Sequence, residues 1–234
     1  MQQIIKKDSR QIPKDVKTTS NKNYYDRIYG YLQSISQWDG DMEHFRYVPR
    51  KGFSFAKMSR DLDMDRGTAT KYFKAMLDTP ENVAKDNPIL IQEKSDRYEL
   101  IRLQKELAML VPQDTLIILI SALNHRAIST YVYLYNRYFA SSCKPFIFTY
   151  KEVRHALGMN GSNEDYNNKI IEGILTVLSK LGLLDWVPID TKSGDDDYQT
   201  MFRMLFMSNV VPKDKNIELA DEKQRKLYHT LSHR

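Results

Sequence analysis

The chain has 234 residues, 41% hydrophobic and 28% charged, with 9 glycines and 8 prolines, a globular composition that favours helices over a loop-rich or collagen-like chain. A single cysteine, Cys143, excludes an intrachain disulfide framework and a cysteine-rich zinc site, and no apolar run is longer than Leu116 to Ile120, far short of the roughly 20 residues that span a bilayer. The formal net charge is +5, and residues 1–10 carry no apolar signal region, so a soluble, cytoplasmic protein with no membrane partner is expected.

Taken in order, residues 1–23 read as a basic flexible tail: 1–22 hold six Lys/Arg against two Asp. Tyr24 to Ser36 then places Tyr24, Ile28, Tyr31, Leu32 and Ile35 on one helical face. Arg46 to Lys74 concentrates eight basic residues (Arg46, Arg50, Lys51, Lys57, Arg60, Arg66, Lys71, Lys74) against three acidic ones. Such a patch is the electrostatic footprint a phosphate backbone attracts. Within it, Ser54 can cap a helix with Phe55, Met58 and Leu62 inward. Asp65 can cap a second that runs to about Leu77, with Ala69, Tyr72, Phe73, Met76 and Leu77 inward. Ile89 to Ile91 and Tyr98 to Ile101 flank a polar turn at Lys94 to Arg97 and read as a hairpin. Residues 103–123 read as a connector, helical on both sides of Pro112.

The second half repeats this order. Phe53 to Met64 lies over Phe148 to Met159 at a constant offset of 95: aromatic, hydroxyl cap, aromatic, an aliphatic position three residues on, then Leu and Met recur. Ala127 to Ala140 is the preceding helix, and Thr149 with Glu152 forms a capping box. Ser162 or Asn163 starts a long helix that Gly182 closes after Leu181. Leu183 to Val187 and Met201 to Phe206 form a second hairpin around 190–200, and 212–234 reads as a basic tail. Helix, short strand, helix, turn, helix, hairpin is the order of a winged helix-turn-helix. The expected fold is therefore mainly α with small β-hairpins (α+β), two tandem winged helix-turn-helix domains at 24–102 and 124–211.

In a helix-turn-helix the second helix enters the major groove and the first crosses the backbone. On Arg66 to Leu77 the side opposite the apolar stripe holds Gly67, Lys71 and Lys74, flanked by Thr68 and Thr70, while Arg66 stands at the first helical position. Lys57 and Arg60 on the preceding helix and Lys94 and Arg97 at the wing complete the candidate DNA-binding set of the first domain. In the second domain Lys151 and Arg154 can hold the backbone, as can Lys169, and Asn167 and Asn168 can read adenine. Its wing, however, carries Asp195, Asp196 and Asp197, which repel phosphates, so dimerisation or protein binding is a competing use.

Signs of catalysis are missing. No Gly is followed by Lys, so there is no Walker A loop, and there is no Gly-x-Ser-x-Gly elbow or paired-histidine metal motif. His44 near Asp41 and Glu43 is a loose cluster that suits a solvated loop better than a metal. The tyrosines of Tyr131 to Tyr138 suit a core stripe and an interface better than base stacking. No enzyme activity and no cofactor are expected.

Two such units joined by a connector, with basic tails, resemble the tandem winged-helix replication initiators of plasmids and phages. The resemblance covers about residues 24–210 and rests on element order and the repeat. It implies binding to repeated double-stranded DNA sites at an origin, and host replication proteins, helicase or its loader, as partners. Thr68, Thr70, Lys71 and Lys74 match recognition positions in the first unit, and Asn167, Asn168 and Lys169 in the second; monomer and homodimer both fit. A winged-helix transcriptional regulator and a protein-interaction scaffold of a replication or transcription complex are the alternative readings.

Overall fold

A computed structural model describes residues 9–13, 24–39, 46–103, 108–159, 163–189, 201–212, 219 and 221–233. Its elements in chain order are β1 (Ser9–Pro13), α1 (Tyr25–Ile35), β2 (Gln37–Trp38), β3 (Arg46–Pro49), α2 (Phe55–Asp61), α3 (Arg66–Ala75), α4 (Pro80–Ala84), β4 (Ile91–Glu93) and β5 (Arg97–Leu100). They continue with β6 (Ala108–Pro112), α5 (Gln113–Ala122), α6 (His125–Ala140), β7 (Phe146–Thr149), α7 (Tyr150–Ala156), α8 (Glu164–Lys180), β8 (Leu184–Ile189), β9 (Met201–Met207) and α9 (Glu222–Ser232). The fold is mixed α+β with small antiparallel sheets. No helix among the described residues is long and apolar enough to cross a membrane.

The chain divides into two compact units. In the first, α1, α2 and α3 bury Ile28, Tyr29, Leu32, Met58, Leu62, Ala69 and Phe73 over a sheet of order β2-β3-β5-β4. Burying each of the larger side chains contributes about 1.5–3 kcal/mol. An aromatic cluster of Phe53, Phe55, Phe73 and Tyr98, ring centroids 5.0–5.5 Å apart, joins the helix pair to the sheet.

Four further elements, β1, β6, α5 and α9, complete this unit outside the expected bounds 24–102. β1 lies in the expected flexible N-terminal tail yet pairs antiparallel with β6, Ser9 opposite Pro112 and Pro13 opposite Ala108. The buried Arg10 donates from Nε to the Gln33 carbonyl at 3.1 Å and also to Gln113, and Gln11 exchanges two hydrogen bonds with the Leu103 backbone. Among the described residues of the connector, Ala108–Pro112 is a strand and the helix begins only after Pro112. Proline disfavours a helical residue ahead of it, and the β-branched Val111 there suits a strand. α5 is buried from Thr115 to Ser121 and packs on α1, where an added Cβ at Gly30 would lie 3.3 Å from Ile120 Cδ1. α9, in the expected basic C-terminal tail, seats Leu227 and Leu231 against α5.

The second unit repeats the first in backbone detail at the offset of 95. Ser54 accepts from the Lys57 N–H as the N-cap of α2, and Thr149 accepts from the Glu152 N–H as the N-cap of α7, where the Glu152 carboxylate closes a capping box. Each helix ends two residues before a left-handed position, with Leu62 or Leu157 as the cap between: Asp63 at φ 47° and Gly158 at φ 65°. The closing bonds correspond as well: Met64 N–H to Ser59 O at 2.9 Å, and Met159 N–H to Arg154 O at 2.8 Å. The inward positions match too, Met58 with Val153 and Leu62 with Leu157. Its three-stranded sheet has the order β7-β9-β8, the same first-third-second arrangement as β3-β5-β4.

The tightness of the α1–α5 contact gives a test. Gly30→Leu is expected to lower unfolding free energy by about 1–3 kcal/mol through overpacking against Ile120 and Leu116, measured by chemical denaturation.

Candidate nucleic-acid interface

α3 is built so that one face is fixed in the core and the other is open. The Asp65 carboxylate caps it by accepting from the Thr68 N–H at 2.8 Å, and that bond holds the Asp65 pKa below the usual carboxylate value. Ala69, Phe73 and the following Met76 are buried. At 100° per residue the opposite side carries Gly67, Lys71 and Lys74, all exposed, with Arg66 exposed in the first turn and Thr68 and Thr70 half-buried on the flanks. Lys71 Nζ stands 5.8 Å from the Tyr72 ring, and no ion pair engages Arg66, Lys71 or Lys74 among the described residues. Three cations and two hydroxyls on one open helix face can bind phosphate oxygens and base-edge acceptors.

The far end of α3 is held by a residue that sequence reasoning missed. Asn82, in α4, donates from Nδ2 to the Lys74 and Leu77 carbonyls, both at 2.8 Å, so the last turn of α3 is capped by a side chain. α4 itself is legible in the sequence: Thr79 is a hydroxyl cap and Pro80 suits the first turn.

The remaining expected residues of the first unit divide. Arg60 is exposed on α2, and Lys57 is half-buried where it lines a cleft of about 360 Å³ with Lys51, Ser54 and Gln113. Lys94 is exposed at the hairpin tip, 3.9 Å from Glu99. Arg97 is engaged by its own sheet: Nη2 lies 2.7 Å from Glu99 and 3.6 Å from Asp39, and the guanidinium stacks 5.1 Å over Tyr47. The bond to Glu99 raises its pKa above the usual arginine value. Arg46 and Arg50 also leave the patch: Arg46 is buried beside Trp38, and Arg50 pairs with Glu93 at 3.1 Å.

The second unit presents a different face. Lys151 and Lys169 are exposed, but Arg154 is buried and its Nη2 is 3.1 Å from Glu164 in the first turn of α8. Arg154 therefore braces α7 to α8 and is not an open phosphate ligand. Asn167 and Asn168 are half-buried, and Glu164 and Asp165 occupy the first turn of α8. The Asp195 to Asp197 run and the cluster of His44, Asp41 and Glu43 lie outside the described residues. Among the described residues no group of three or more His, Cys, Asp or Glu is arranged to hold a metal ion. Tyr131 is fully buried and its hydroxyl donates to the Ser208 carbonyl, a core role.

Compared with known proteins, the chain matches no family model, no curated protein and no solved structure.

The Asp65 cap predicts a pH dependence. Because the folded-state pKa is depressed, the cap's contribution is fully present above the ordinary value of 3.8 and is lost as pH falls through the lower folded-state value. Amide protection of the first turn of α3 is expected to fall over that window in the wild type and to stay flat in Asp65→Asn, which keeps an oxygen acceptor without the titration. Hydrogen exchange measures both.

Proposed function

We propose that each unit is a winged helix-turn-helix and that the protein binds specific double-stranded DNA, with α3 of the first unit as its recognition helix. The reading is supported by the order helix, strand, helix, helix, hairpin in both units and by the shared first-third-second sheet arrangement. The observation that carries it is the face of α3: Arg66, Lys71 and Lys74 open and without ion pairs among the described residues, with Thr68 and Thr70 beside them. In this role α2 crosses the backbone with Arg60, Lys57 stands at its start, and Lys94 reaches a phosphate from the hairpin tip. Arg97 shapes the wing from within.

The tandem repeat supports the particular role of a plasmid- or phage-type replication initiator, which binds repeated sites in an origin and engages host replication proteins. The role needs no catalytic group or cofactor. The second unit, with Arg154 committed to Glu164 and acidic residues leading α8, contributes weaker DNA contacts through Lys151 and Lys169. Sites selected from random DNA as direct repeats beside an A·T-rich stretch would fit the initiator role, and a single palindrome would fit a transcriptional regulator instead.

Salt titration tests the DNA reading. The logarithm of the binding constant should fall linearly with the logarithm of salt concentration, and Lys71→Ala or Lys74→Ala should each lessen the slope by about one. A double variant with wild-type affinity and slope would remove α3 from the interface.

A further inference from the structure

The outward faces of the two sheets differ although their strands correspond. In the first unit that face is polar: Tyr47, Gln92, Arg97 and Glu99 lie on it, and the buried Glu99 carboxylate is paired with Arg97 and lies 3.9 Å from Lys94. An antiparallel sheet with one open face ordinarily alternates in this way, apolar toward the core and polar toward water.

In the second unit the inward positions Phe148, Phe202 and Met204 are buried, and the outward ones are apolar again. Ile147 and Val187 lie on either side of Arg203 in register, 47% and 40% exposed. Past the bulge in the β8–β9 ladder, Asp185 stands opposite Phe206, which is 49% exposed. This is a contiguous apolar face with one cation and one anion set into it. A face of that kind marks an interaction site.

Its charges identify the occupant. Arg203 and Asp185 are both exposed, sit on neighbouring rows of one face, and have no ion-pair partner in their own chain among the described residues. In a two-fold contact residue i meets j and j meets i, so a face carrying one charge of each sign is complementary to itself. Duplex DNA would be repelled by Asp185 and has no apolar surface to offer Ile147, Val187 and Phe206. We propose that a second copy of this chain docks here, sheet face to sheet face about a two-fold axis, with Arg203 of each copy paired to Asp185 of the other between the apolar side chains.

The geometry allows a charge-exchange experiment on the full chain. Light scattering should give twice the 27.5 kDa chain mass for the wild type at micromolar concentration. Arg203→Glu makes both positions acidic and Asp185→Arg makes both basic, so each variant alone should run as a monomer. Mixed in equal amounts the two should dimerise, because every crossing pair is again of opposite sign, and this recovery also excludes misfolding as the reason the single variants failed. A monomeric wild type, single variants that remain dimeric, or a mixture that stays monomeric would each overturn the proposal.

Discussion

The face that α3 presents depends on how the chain turns between α2 and α3, and that turn hangs on one left-handed residue. In the second unit the position is Gly158, which adopts φ 65° without a side-chain clash. In the first unit it is Asp63 at φ 47°, a conformation that costs an ordinary residue on the order of 1 kcal/mol. Asp63 is held from outside the helix pair: Lys223 of α9 lies 2.8 Å from its carboxylate and draws its pKa below the usual value. α9 in turn is seated on α5, and α5 on α1. An element near the C-terminal end of the chain thus reaches the turn that aims α3.

This arrangement explains which parts of the fold were legible in the sequence. The helix caps, the inward stripes and the 95-residue correspondence are local signals, and residues such as Ser54, Asp65, Thr149 and Asn163 carry them openly. β1 and α9 were not legible as parts of the first unit because their stabilising contacts are remote. Arg10 is buried against residues 23 and 103 positions away, and Lys223 pairs across 160. A basic stretch reads as a solvated tail until the carbonyl or carboxylate that receives it is known. The strand before Pro112 failed for a related reason, since its apolar run suits helix and strand alike and only the pairing with β1 decides.

The candidate site was legible in its helix positions and less so in its charges. Periodicity alone places Lys71 and Lys74 opposite Ala69 and Phe73, because a helix face follows from spacing. Whether an arginine is open or committed depends on partners the sequence does not align: Arg97, besides Glu99 two residues along its own strand, meets Asp39 from another loop, and Arg154 meets Glu164 from the next helix. What remains after these pairings is a smaller cationic face than the sequence count suggests, made of α3, Arg60, Lys57, Lys51 and the hairpin tip. The two units share a framework but differ in surface, with a cationic helix face in one and an apolar sheet face in the other.

In the proposed function α3 of the first unit, and not α8 of the second, is the principal reading element. Hydrogen–deuterium exchange of the full chain with and without duplex DNA at low salt addresses it directly. Added protection is expected across Arg66 to Lys74 and the hairpin tip at Lys94, with little change along Glu164 to Lys180. Protection of α8 without protection of α3 would contradict it.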